Sequence, residues 1–174
     1  MLRKIILSSI LAMIFFCGQC FAAQDYPICN KDQNDFIASF NAAASNLEFT
    51  LGTPELLPME TNPNDEHLYS VEPVPDTFHA GAFVMTDKDN FVNRILLVTD
   101  TVENAEKIFK PALLAVGLTE NEINVAPVFN KNETVNSFWC AATKRYVNVT
   151  TAINADNPDV IYILILASLE KPVN

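Results

Sequence analysis

One stretch limits the fold more than any other. Val160 to Leu169 reads Val-Ile-Tyr-Ile-Leu-Ile-Leu-Ala-Ser-Leu, and its first eight residues present no polar face at all. At about ten residues it is too short to cross a ~30 Å hydrocarbon core as a helix, and its β-branched content suits a buried strand. A strand apolar on both sides has to lie inside a sheet, because at an edge it would be an aggregation site. The chain must therefore supply strands on either side of it.

A second pair of segments meets that demand. Phe78 to Thr86 and Phe91 to Thr99 are strand-like, with Asp87-Lys88-Asp89-Asn90 between them as a four-residue turn, which predicts a β-hairpin. Both arms are apolar on nearly every residue, so they too belong in the sheet interior, covered on both faces. Further strands are expected over Leu47 to Leu51, His67 to Glu72, Glu133 to Ala141 and Arg145 to Ile153. Residues 53–66 contain Pro54, Pro58 and Pro63 among polar residues and read as a long loop.

Helical spacing marks two regions. Phe36, Phe40, Ala43, Ala44 and Leu47 form one apolar stripe within a helix from about Asp32 to Asn46, with Asn30 and Gln33 placed as a capping box. Asp100 and Glu103 resemble a second box, opening a helix that carries Val102, Ala105, Phe109, Ala112, Leu113 and Val116 on one side. Pro111 lacks a backbone donor, so a kink or break is expected near Lys110, and Gly117 is the C-cap. Thr119 with Glu122 predicts one more short helix, stopped at Pro127. Runs of consecutive strands imply hairpins. The class is α+β: a largely antiparallel sheet of about six to seven strands, with two to three helices packed on one face.

The N-terminus reads as an export signal. Arg3 and Lys4 precede an uncharged run from Ile5 to Phe16, and small residues close the segment at Cys20, Ala22 and Ala23. Cleavage after Ala22 puts small side chains at both recognition positions. The expected division is residues 1–22 as a cleaved signal and 23–174 as a single domain in the periplasm or outside the cell, with no stable membrane anchor after processing. Phe16 and Gln19 stand before Cys17 and Cys20, where a lipid-modified cysteine wants a small neighbour.

Charge narrows the partners. The whole chain holds 11 basic and 21 acidic residues, a net charge of −10. Losing Arg3 and Lys4 with the signal leaves 9 against 21, or −12. Such a surface repels nucleic acid and anionic lipid and suits a basic protein. The acidic run Asp65-Glu66-His67, at the end of the long loop, is the candidate partner surface. Cys29 and Cys140 remain after processing, and an even pair in an oxidising compartment predicts a disulfide between them.

Chemistry leaves little trace. His67 and His79 have carboxylates nearby but no metal-ligand spacing, and Cys140 with His79 as base would be a nucleophile without an oxyanion hole. There is no G-x-S-x-G elbow. With four glycines in the chain, no familiar phosphate-cradling loop can be built. No catalytic residue, cofactor or metal site is assigned. Two glycosylation sequons occur, at Asn132 and at Asn148, the latter inside an expected strand. The leading expectation is an exported acidic binding protein acting through a protein–protein surface, inhibitor-like or immunity-like. The alternative is a small-molecule carrier or a hydrolase with a pocket between sheet and helices.

Overall fold

The computed structural model describes residues 26–59, 64–75 and 80–171. The expected signal and His79 lie outside the described residues. Helix α1 (Gln33–Ala43) comes first, then β1 (Thr50–Leu51), β2 (Glu55–Leu57), β3 (His67–Val71), β4 (Pro73–Val74), β5 (Ala80–Thr86) and β6 (Val92–Thr99). Helix α2 (Val102–Ala115) leads to β7 (Thr134–Cys140), β8 (Arg145–Ile153) and β9 (Ile161–Ser168).

The fold is α+β. Seven strands form one antiparallel sheet in the order β2-β3-β5-β6-β9-β8-β7, and β1 with β4 makes a separate two-stranded ribbon. The three runs that lacked a polar face, β5, β6 and β9, lie side by side in the middle. Tertiary pairing thus satisfies the constraint set by Val160 to Leu169. In register, Val98 opposes Tyr162, Leu96 opposes Leu164 and Arg94 opposes Leu166.

Alternation divides the sheet residues between two layers. One face turns Val71, Ala82, Val84, Ile95, Leu97, Ile163, Ile165, Val147, Val149 and Phe138 toward the helices. There they meet Phe36, Ile37 and Phe40 of α1 and Ile108, Phe109, Ala112 and Leu113 of α2. The second face gathers Leu68, Phe83, Met85, Leu96, Val98, Tyr162 and Leu164. Both described helices belong to the first layer.

Local chemistry explains the helix ends. Asp32, and not Asn30, caps α1, its side chain accepting from the Asp35 N–H at 2.9 Å. Thr101 caps α2 by accepting from Asn104 N–H, while Asp100 holds the Asn104 side chain from outside the helix. The helix runs on through Pro111 to Ala115, so the expected break does not occur. Pro111 is buried among the apolar residues of that helix, and tertiary packing outweighs the missing backbone bond. Gly117, at φ +104°, ends it in a Schellman motif: Leu118 N–H donates to Leu113 and Gly117 N–H to Leu114.

Three expectations are corrected. Thr119 and Glu122 make a turn and no helix, leaving two helices among the described residues. The Glu122 carboxylate does accept from Thr119 N–H and its hydroxyl, but its other oxygen is drawn to Ala141 N–H on the far side of β7. Seven residues before Pro127 are too few to offset helix nucleation. The Leu47 to Leu51 strand shrinks to Thr50–Leu51, held by the Asn41 side chain, which bonds both backbone groups of Leu51. The long loop hides a strand, β2, between Pro54 and Pro58.

The disulfide is corrected as well. Cys29 and Cys140 are both buried and neither is bonded to the other. They sit in the helix-side core as small apolar side chains, and the Cys140 thiol donates to the Gly117 carbonyl at 3.6 Å. Burial pushes the Cys29 thiol up from 9.0 to about 11, against a lowering by the Lys31 backbone N–H. Both sulfurs are therefore free and packed in the core.

Candidate functional site

The residues singled out from the sequence do not converge. Asp65 lies in an exposed turn at φ +54°, a conformation that Asp tolerates better than most residues. Glu66 accepts a 2.8 Å hydrogen bond from the side-chain amide of Asn93, which is 1 % exposed. That bond reaches from the start of β3 to β6, across the end of β5. His67 opens β3 opposite Thr86, with its Nδ1 buried and without a hydrogen-bond partner. Glu66 is thus tied into the sheet, His67 stands in it with an unpartnered ring nitrogen, and Asp65 is the exposed member of the group. Among the described residues no group of three or more His, Cys, Asp or Glu side chains is arranged to hold a metal ion.

A different place combines exposure with chemistry: the β7–β8–β9 corner of the second face. Trp139 on β7 is 47 % exposed although it stands in a strand. Its register partner is Tyr146 of β8, and the rings meet edge to face at 5.1 Å and 64°. Phe138 and Cys140, either side of it, point into the helix-side core, so alternation forces Trp139 outward. Beside the aromatic pair runs a polar ladder. Ser137 hydroxyl donates to Asn148 Oδ1 at 2.9 Å, Asn148 Nδ2 donates to Ser168 at 2.9 Å, and Ser168 donates to the Glu170 carbonyl at 2.6 Å. Asn148 is 7 % exposed with both ends of its amide engaged, which leaves its sequon without a reachable acceptor.

Carboxylates gather at the other end of β7 from Trp139. Glu133, just before β7, accepts from the Tyr162 hydroxyl at 2.7 Å, and so overhangs the second face. Asp156 and Asp159 are exposed in the connection from β8 to β9, at the same end of the sheet. Glu122 fastens the Trp139 end of β7 through Ala141, and the donors from Thr119 and Ala141 hold its carboxyl below the ordinary carboxylate range.

The Asp65 turn and the Trp139 corner lie far apart. Between β3 and β7 the sheet runs through five strand spacings, about 24 Å at ~4.8 Å each. Trp139 was visible in the sequence beside Cys140, but the strand's phase was needed to show that it turns outward. No family model, no curated protein and no solved structure matches the chain.

Proposed function

We propose that the chain is an exported acidic binding protein that acts on another protein, of basic character, through the β7–β8 corner. The observation that carries this reading is the exposed Trp139, braced edge to face by Tyr146 on the layer that holds neither described helix. Tryptophan and tyrosine dominate the energetics of protein interfaces, because they contribute large area at little conformational cost. The carboxylates Glu133, Asp156 and Asp159, at the other end of β7 about 20 Å from the aromatic pair, match a basic partner in sign. An inhibitor or immunity-type protein is one concrete form.

The charge of −10, or −12 after removal of residues 1–22, draws such a partner in from a distance. Asp65 and Glu66 contribute to that field from the other side of the sheet, while the aromatic corner supplies the contact. The pocket-based alternative finds less support, since Phe36, Phe40, Ile108 and Leu113, all at most 2 % exposed, fill the layer between sheet and helices. Export itself is tested by intact mass: protein recovered from the periplasm or medium should begin at Ala23, and a mass retaining residues 1–22 would remove the exported part of the reading.

The binding test is kinetic. Affinity capture from the native envelope supplies the partner. Trp139→Ala should then speed dissociation at least tenfold, whereas Asp65→Asn with Glu66→Gln should slow association and leave dissociation alone. Unchanged kinetics in the Trp139 variant would place the contact elsewhere.

A further inference from the structure

We infer that β7 takes up a partner segment as an added, eighth strand, so that recognition is edge-on. This rests on the reading above that the partner is basic. The two edges of the seven-stranded sheet differ sharply in how they are protected. β2 is three residues long, begins with Glu55 and is flanked by Pro54 and Pro58, the devices that normally close an edge. β7 has seven residues, Thr-Val-Asn-Ser-Phe-Trp-Cys, with no charge, proline or glycine. It pairs with β8 through seven consecutive register partners without a bulge. Its neighbour on one side is β8, and no described strand lies on the other.

An antiparallel edge strand turns every second backbone N–H and C=O outward, and an extended chain can satisfy them all. Trp139 would lie beside an alternate side chain of that incoming strand, because same-face residues on neighbouring strands sit ~5 Å apart. Charge selects the occupant. A second copy brings the same net charge of −10 and is repelled. An extended segment carrying lysine or arginine at alternate positions meets Glu133, Asp156 and Asp159 at the end where β7 begins. The occupant is therefore a cationic, extended segment of a partner protein.

The probe is a synthetic octapeptide of alternating lysine and valine, added at up to millimolar concentration to the 15N-labelled chain as recovered after export. Alternate amides of β7 should exchange at least tenfold more slowly with solvent when the peptide is present. The same peptide methylated at every backbone nitrogen keeps its charge but cannot pair, and should give no protection. Trp139→Lys, which adds the charge that β7 lacks, should weaken peptide binding tenfold or more. Absence of alternate protection overturns the inference, as does sedimentation showing dimers whose β7 amides are protected without peptide. If the methylated peptide perturbs Trp139 as strongly as the parent, edge pairing is wrong while a basic partner at this corner survives.

Discussion

Asn93 donates to Glu66 across the end of β5 at 2.8 Å, and so ties the acidic turn before β3 to the middle of the sheet. Because Asn93 is 1 % exposed, its amide hydrogens have no access to water if Glu66 is lost. Glu66→Ala should therefore destabilise the fold by about 1–3 kcal/mol, the cost of a buried donor left unsatisfied. Asp65→Asn, in the exposed turn, should stay within about 0.5 kcal/mol. Urea melts of the two variants check this, and equal effects would deny the structural role of Glu66.

The buried thiols give a pH dependence. Cys29 is raised when folded, so its contribution to stability is complete below about 9 and is lost as pH rises through about 11. Two units correspond to on the order of 2–3 kcal/mol. Melting temperatures between pH 8 and 11 should fall more steeply in the parent than in Cys29→Ala. Parallel curves would show that this thiol does not titrate as its burial requires.

Alkylation distinguishes thiols from a bridge directly. In the folded chain Cys29 and Cys140 should resist iodoacetamide, and both should react once the chain is unfolded without reductant. A pair that stays unreactive until a reductant is added would restore the disulfide.

The layer between sheet and helices is closely filled, and Leu113 of α2 is fully buried in it. Leu113→Ala should cost about 2–5 kcal/mol, transfer and cavity together. Denaturant unfolding gives the value, and a loss under 1 kcal/mol would mean that α2 is not packed on the sheet as described.

Much of this fold was legible in advance, and the reasons are physical. Runs with no polar side, such as Ile161–Ser168, can only be interior strands, and the register confirms their places. Arg145–Ile153 matches its expected bounds because Lys144, at φ +54°, marks the turn before it. β2 escaped notice because three residues between prolines carry no period, and only pairing with β3 makes them a strand. The Thr119 turn kept the cap chemistry of a helix while its glutamate bonded across to Ala141, a contact 19 residues away. The candidate site was the least legible part. Trp139 reads as core from its neighbours Phe138 and Cys140, and its outward direction follows from the alternation that sends both of them into the helix-side core.

Salt should separate attraction from contact. Exposed charges are screened over about 10 Å at 0.1 M ionic strength, so the on-rate for a basic partner should fall as salt rises while the off-rate holds. Stopped-flow association from low to moderate salt measures both, and a salt-independent on-rate would reduce the acidity to a matter of solubility.

Site-specific photo-crosslinking tests the central claim most directly. A benzophenone amino acid placed at Trp139 samples the proposed corner, and one placed at Leu56, 57 % exposed on β2, samples the opposite edge with comparable accessibility. Irradiation in the native envelope should join position 139 to one discrete basic protein and leave position 56 without that adduct. The same adduct from position 56 alone, or none from 139, would contradict recognition through the β7–β8 corner.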